Sequence, residues 1–422
     1  MLKKIALFTL ILGLPLGCIA CDGSSNTPAS SVPDAAIIQQ RRDAAESYMR
    51  EMATFMWRAE EDVLYTRDTT ILTDEDLANY TGNQLLKIKA GRLYRGIPYS
   101  YTGASAWNFY DYTSEPDEQG ICTLSGLHWR CINGGSTIGA TVGNDCSSSI
   151  QLAWNYVGSK IQLTNTPFMT PMHGYQRVGE YKSSDNQQKD TPAFCEENGL
   201  DVMTKAYALL QKADAVVKRI PAYGHTMMIV ENHPVYNADG SIDAEASYIT
   251  VLHQTTSYMM KEEKVFDPQY GEDVYIIYGI DDKYTYAKLF EQGYLPVTCD
   301  VFLDPAPVEE IYVKDTETQY GYDNILKGQF VSNRILSAVT ITIKDESGNV
   351  VMEGTCYERR QTKQPVFSFQ LERFTTQLPV QQRGRIAPEE LAPGNYHCTH
   401  TLRDGHGVTY TMRDFDFTVP QK

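Results

Sequence analysis

Three side chains able to act as a nucleophile or to transfer protons stand out in the sequence: Cys146, His225 and His253. A cysteine becomes a good nucleophile when its thiolate is stabilised, and the first turn of a helix does this through its unpaired N–H groups. A neighbouring imidazole takes the thiol proton and later donates it to a leaving amine, while a third polar group orients the ring. These residue types predict nucleophilic catalysis by a thiol.

The local patterns predict which elements carry these side chains. Apolar residues recur at helical spacing from Ile150 to Val157, and Asn144 or Asp145 suits the helix N-cap, so Cys146 is expected in the first turn. Residues 225–231 and 248–254 alternate as strands, and the turn-forming residues between them predict a hairpin. A helix followed by an antiparallel sheet favours an α+β domain.

The third polar group has two candidates, His253 and Gln254. Neighbouring residues of a strand point to opposite faces, so only one of them can reach His225. His253 shares its strand face with Ile249 and Val251, and we favour it.

Two segments carry a family resemblance. Asn144-Asp-Cys-Ser-Ser-Ser149, preceded by Gly96-Ile-Pro-Tyr-Ser-Tyr-Thr-Gly103, resembles the NlpC/P60 superfamily of papain-like cysteine peptidases. Lys212-Ala213-Asp214, the strand that opens at His225 and Val251-Leu-His253 follow in the family's order. The resemblance extends over about residues 90–300.

The resemblance implies a papain-like α+β fold that hydrolyses peptidoglycan stem peptides, next to D-γ-glutamyl, through a thioester acyl-enzyme. It makes Cys146 the nucleophile, His225 the base and His253 the orienting group. Tyr99 would complete an oxyanion hole with the Cys146 backbone N–H. Asp145, Ser147 and Trp107 are expected to contact the substrate.

The sequence departs from the family pattern in three places. Ser148 and Ala213 stand where the family has glycine, and the segment 104–143 is much longer than in compact members. This insertion is interpreted either as a cover over the substrate cleft or as a surface loop pinned by a Cys122–Cys131 disulfide.

The N-terminus predicts export. Lys3 and Lys4 precede an apolar run too short to span a bilayer, and a polar tether follows, so residues 1–21 are interpreted as a lipoprotein signal peptide and 22–33 as the tether. Either Cys18 or Cys21 could be lipidated, and Cys21, which directly precedes the tether, is favoured. The protein is therefore expected to be lipid-anchored at the bacterial cell envelope.

The remaining chain is divided at Asp304-Pro-Ala-Pro307, a linker signal. Residues 34–304 are expected to form the peptidase domain, opening with a helix from Asp34 to about Tyr65. Residues 305–422 alternate in short strands and predict an Ig-like β-sandwich. In an exported protein the cysteines could form disulfides, among them Cys356–Cys398.

Charge and spacing exclude other classes of function. The net charge is −16 without a Lys/Arg block, which excludes a nucleic-acid partner. His397 faces away from Cys398 and His400 in a flat strand, so neither a metal nor another cofactor is expected. The alternatives to a cell-wall hydrolase are a cysteine amidase or acyltransferase with another substrate, and an inactive surface binding protein.

Overall fold

The computed structural model describes residues 34–66, 75, 85–99, 106–125, 130–131, 143–161, 164–221, 223–358, 367–376 and 382–421. The predicted signal peptide, the tether and Cys21 lie outside the described residues. Described helices and several sheets occur together, so the fold class is α+β.

The described helices are α1 Asp34–Thr54, α2 Ala106–Tyr110, α3 Cys146–Tyr156, α4 Thr191–Asn198, α5 Leu200–Ala208, α6 Thr256–Lys261, α7 Tyr286–Gln292 and α8 Arg373–Thr376. Among the described residues, no helix is both long and apolar enough to cross a membrane.

The described strands up to residue 299 are β1 Met56–Ala59, β2 Val63–Thr66, β3 Leu85–Ile88, β4 Leu93–Arg95, β5 Cys122–Leu124, β6 Arg130–Cys131, β7 Tyr175–Arg177, β8 Ala215–Ile220, β9 Tyr223–His233, β10 Tyr248–His253, β11 Lys264–Asp267, β12 Glu272–Ile276, β13 Gly279–Thr285 and β14 Leu295–Cys299. Those that follow are β15 Val313–Asp315, β16 Gln329–Ser332, β17 Leu336–Asp345, β18 Val350–Tyr357, β19 Phe367–Gln370, β20 Gln382–Gly384, β21 Gly394–Asp404 and β22 Thr409–Val419.

A six-stranded antiparallel sheet carries the residues singled out by the sequence. Its order is β13-β10-β9-β8-β14-β7, and α3 packs against β9. The β9–β10 hairpin closes through the predicted turn, where Asn237 N–H donates to the Ser241 carbonyl at 2.8 Å. Because α3 is buried from Cys146 to Asn155, it forms the centre of this half of the core.

The N-terminal helix ends earlier than the sequence predicts. It stops at Thr54, and Met56–Ala59 becomes β1 in a five-stranded sheet of order β11-β12-β4-β1-β5. Burial along β1 alternates, with Trp57 stacked 4.8 Å from Tyr94, so strand pairing overrides the helical spacing that Met56 and Ala59 suggest. The prediction of a helix to about Tyr65 is wrong.

Residues 305–422 contain two described antiparallel sheets, of order β15-β16-β19 and β20-β18-β17-β21-β22. The predicted hairpin at residues 346–349 joins β17 to β18, and the turn at 404–407 joins β21 to β22. Cys356 and Cys398 lie on β18 and β21, with β17 between them, and Cys398 is a free thiol. The possible Cys356–Cys398 disulfide is therefore not formed, because the two cysteines are on strands that are not neighbours.

The second half of the chain is docked on the end of α3. Arg334 donates to the carbonyl oxygens of Asn155 and Tyr156 at 2.7 and 2.8 Å, which places a cation where the helix dipole favours one. The His406 ring lies 5.3 Å from both Tyr48 and Tyr156, and its Nε2 is 3.1 Å from Asn155 Oδ1. The turn at 404–407 thereby fixes the helix that carries Cys146.

The described part of the insertion, residues 106–125, also packs between the two halves. Phe109 and Asn108 are fully buried, and Ser337 donates a 2.7 Å hydrogen bond to Asn108 Oδ1. Asp111 forms an ion pair with Arg403 at 2.6 Å. Asn108 and Phe109 are thus packed between the two halves of the chain, whereas most of residues 114–120 are exposed. Most of the remaining insertion and the Cys131 side chain lie outside the described residues, so the cleft cover and the surface loop both stay predictions.

Candidate functional site

Cys146 is the first residue of α3, and Asp145 is its N-cap, one of the two predicted caps. Asp145 Oδ1 accepts from the Ser148 N–H at 2.8 Å, and Ser148 Oγ accepts from the Asp145 N–H at 2.9 Å. This reciprocal capping box fixes the first turn and leaves the Cys146 sulfur at the positive end of the helix dipole. Cys146 is 6% exposed.

The residues that flank Cys146 are engaged in the same cap. Ser147 Oγ donates to Asp145 Oδ1 at 2.9 Å, and both side chains are buried. Ser148, at the position where the NlpC/P60 pattern has glycine, contributes its hydroxyl to the capping box. Asp145 and Ser147 thus stabilise the first turn of the helix, and their predicted contact with the substrate stays a prediction. The side chain of Trp107, the third predicted substrate contact, lies outside the described residues.

Tyr99 lies directly beside this turn. A β-bridge pairs Tyr99 with Asn144, and Gly143 passes so close that an added Cβ would lie 2.0 Å from the Pro98 carbonyl oxygen. Gly143 also has a φ of +75°, so glycine is required there on two grounds. The bridge places the predicted oxyanion-hole tyrosine beside Asn144, two residues before Cys146 in the chain.

The two histidines are in hydrogen-bond contact. His225 Nε2 is 2.8 Å from His253 Nδ1, and His253 Nε2 is 2.7 Å from Asp282 Oδ2. Tyr258 donates its hydroxyl to the same Asp282 oxygen. We call His225, His253, Asp282 and Tyr258 the relay.

The direction of each hydrogen bond in the relay follows from its charged end. Burial opposes ionisation of Asp282, but the hydrogen bonds from His253 and Tyr258 hold its pKa below the ordinary value. The carboxylate therefore accepts from His253 Nε2–H, and the tautomer with its proton on Nε2 has a lone pair at Nδ1. That lone pair accepts from His225 Nε2–H, which leaves Nδ1 of His225 as the basic nitrogen.

Gln254, the other candidate for the third group, has a different role. Its Nε2 donates to the Ile97 carbonyl at 2.6 Å, and its Oε1 accepts from the Thr255 N–H at 2.9 Å. Gln254 thereby ties the end of β10 to the segment before Tyr99. Of the two candidates, His253 is the one in contact with His225.

Asp282 and Tyr258 were not found by the sequence reasoning. The pairing of β10 with β13 shifts register between Val251 and Leu252, and Asp281 at the bulge has a φ of 55°. The bulge aims Asp282 at His253, while Asp281 pairs with Arg50 of α1 at 2.9 Å. The acidic pair Asp281-Asp282 in the sequence could have suggested a carboxylate near His253. Regular strand pairing, however, does not predict the bulge that decides which of the two reaches the ring.

Gly279 provides the space for the His253 ring. A Cβ at this position would lie 2.3 Å from His253 Nε2 and 2.9 Å from Asp282 Oδ2. Gly279 has no left-handed φ, so the requirement is for space alone.

The surroundings of His225 favour its neutral imidazole. Burial, then the neighbouring His253 and Lys218, lower the pKa of His225 well below its ordinary value. Burial and the nearby Cys146 raise the pKa of both Tyr278 and Tyr294, which are almost fully buried. The arrangement therefore combines a thiol at a helix start with a sheet that presents an oriented, uncharged base.

The comparisons with known proteins give no family. No protein-family model matches the sequence, and no curated protein matches it. One solved structure, titled "Crystal structure of tetra-tandem repeat in extending region of large adhesion protein", is 13% identical, with a TM-score of 0.16. The match covers 49% of this chain and 40% of that chain, so the chain spans less than half of that protein. At this score the likeness identifies no fold.

Among the described residues, the relay included, no group of three or more His, Cys, Asp or Glu side chains could hold a metal ion. His397 lies between Asp414 and Asp416, at 2.6 and 2.8 Å, whereas His400 is buried and bonded to the Ile325 carbonyl oxygen at 2.8 Å. A surface cavity of about 670 Å³ borders His397, and it is far along the chain from the relay.

Proposed function

We propose that the protein is an exported cysteine hydrolase of NlpC/P60 type that cleaves peptide bonds in peptidoglycan stems, next to D-γ-glutamyl. The observation that carries the proposal is the relay, which leaves Nδ1 of His225 as a base on the sheet that packs against the Cys146 helix. Two buried imidazoles linked to a partly buried carboxylate are costly to desolvate, and such an arrangement is typical of a site that activates a nucleophile.

The proposed reaction has two halves. His225 Nδ1 takes the Cys146 proton while the sulfur attacks the substrate carbonyl, and the Cys146 N–H with Tyr99 stabilises the oxyanion. His225 then gives its proton to the leaving amine, and a thioester is formed. Water, deprotonated by the same imidazole, hydrolyses the thioester and restores the thiol.

The Asp282 carboxylate stabilises each step in which His225 is charged. When His225 becomes an imidazolium, its Nε2–H still donates to His253, whose Nε2–H donates to Asp282. The negative charge at the far end therefore lowers the free energy of the protonated state without taking the proton itself.

The wider assignment belongs to the same proposal. Residues 34–304 would be the papain-like domain and 305–422 an Ig-like module that positions α3 through Arg334 and His406. A lipid on Cys21 would hold the protein at the bacterial cell envelope, within reach of its substrate.

The test is digestion of purified muropeptides, with products identified by mass spectrometry. We expect release of a D-glutamyl-linked stem fragment by the wild type and none by Cys146→Ala. Cys195→Ala is the matched control, because burial raises the pKa of that thiol to about 12 and makes it a poor nucleophile.

Three results would contradict parts of the proposal. Unchanged turnover by Cys146→Ala removes Cys146 as the nucleophile. Cleavage or acyl transfer on another amide, with muropeptides untouched, overturns the substrate. Binding of muropeptides without any cleavage, in a folded wild type, supports a surface binding protein instead.

A further inference from the structure

Lys218 lies on the same face of the sheet as the proposed base. It is on β8, directly opposite His225 of β9 in the antiparallel register, so the two side chains are neighbours. The electrostatic effect of Lys218 on the His225 ring is one of the causes of its low pKa.

Two tyrosines connect Lys218 with the rest of the site. The Lys218 ammonium is 5.8 Å from the ring centroids of both Tyr223 and Tyr294. The Tyr223 ring is stacked 6.5 Å from His225, and the Tyr294 ring lies 6.5 Å from that of Tyr284. Lys218 and the proposed base therefore share Tyr223 as a neighbour.

The charge of Lys218 is not compensated within the described part of the chain. No described carboxylate forms an ion pair with this half-buried side chain, and burial lowers its pKa without an opposing acidic neighbour. A partly desolvated cation beside a base disfavours protonation of that base, so Lys218 works against His225 unless an anion binds.

We propose that Lys218 binds a free carboxylate of the substrate, one that lies within a few bonds of the amide that is cleaved. This inference rests on the proposed function and specifies its substrate class. A γ-linked glutamyl residue carries such a carboxylate on its α-carbon, next to the side-chain amide. The bound anion would offset the charge of Lys218 at the moment when His225 becomes protonated.

The experiment compares two synthetic stem peptides that differ only in this group, a γ-D-glutamyl peptide with a free α-carboxylate and the same peptide with an α-carboxamide. We expect the wild type to prefer the carboxylate by about tenfold in kcat/KM, the effect of one charge-assisted contact in a half-buried site. Lys218→Met should abolish that preference by raising KM for the carboxylate peptide, and Lys218→Arg should retain most of it. Lys283→Met is the matched control, since that lysine lies 3.5 Å over the Tyr248 ring.

A second arm needs no natural substrate. Iodoacetate and iodoacetamide alkylate thiols with the same displacement of iodide, but only iodoacetate carries a carboxylate. We expect the rate with iodoacetate divided by the rate with iodoacetamide, both at Cys146, to fall about tenfold in Lys218→Met and to stay unchanged in Lys283→Met. If this ratio is unchanged in Lys218→Met, or if the wild type cleaves both peptides equally well, Lys218 does not bind the carboxylate. Neither result contradicts the proposal that the protein is a hydrolase. A changed ratio without cleavage of either peptide supports the anion site and contradicts the substrate proposed above.

Discussion

Replacing Asp282 by Asn tests the relay most sharply, because the substitution keeps the shape of the side chain and removes its charge. In the wild type the carboxylate accepts from His253 at 2.7 Å and from the Tyr258 hydroxyl. Hydrogen bonds to a charged group contribute about 1.5–3 kcal/mol. The Asp282 side chain is 30% exposed, so solvent screens the charge and the lower part of that range applies. About 1.4 kcal/mol corresponds to a tenfold change in rate.

The assay is the rate constant for alkylation of Cys146 by iodoacetamide at neutral pH, followed by mass spectrometry of the Cys146 peptide. We expect Asp282→Asn to react about tenfold more slowly than the wild type. Tyr258→Phe leaves the charge in place and should lose about threefold, since it removes only one hydrogen bond. Equal rates for Asp282→Asn and the wild type, with both folded in a denaturant titration, would show that the Asp282 charge does not support the reactivity of Cys146.

Three further predictions concern space and protonation. Gly279→Ala should displace His253 and slow Cys146 alkylation at least as much as Asp282→Asn does. Gly321→Ala is the control, because a Cβ at that position meets open space, and it should leave the rate unchanged. A normal rate in both variants would show that His253 does not orient the base. Because the pKa of His225 is lowered, its neutral, basic form persists as the pH falls, and hydrolysis should continue below about pH 6.5. A pH–rate profile in which the rate already falls above that value would contradict the role of His225 as the base. Burial lowers the pKa of His400 to about 4, so the unfolded chain binds a proton that the folded chain does not. This group should therefore lower the free energy of unfolding by about 3 kcal/mol between about pH 7 and pH 4, and the fall should be smaller in His400→Gln. The measurement is the free energy of unfolding from denaturant titrations at several pH values. An equal fall with pH in the two proteins would contradict the prediction.

The local patterns of the sequence predicted several elements well. The start of α3 and its cap follow from Asp145 before an apolar helical run, and the β9–β10 and β17–β18 hairpins follow from turn residues between alternating segments. These features depend on residues that are close together in the chain, which is why spacing alone identifies them.

Features that depend on distant partners were missed. Met56–Ala59 pairs with β4 and β5, and this pairing ends α1 at Thr54 although the apolar spacing continues. The bulge at Asp281 aims Asp282 at His253, and neither strand shows it in isolation. The docking of the turn at 404–407 against Asn155 joins residues 251 positions apart, beyond the reach of any local pattern.

The proposed function requires that His225 activates Cys146, and this is tested by comparing Cys146 alkylation in the wild type and in His225→Gln at neutral pH. We predict that the wild type reacts more than about tenfold faster, with Cys195 unlabelled in both folded proteins. If Cys146 reacts at the same rate without the imidazole, the sulfur and the relay do not work together, and the hydrolase proposal is contradicted.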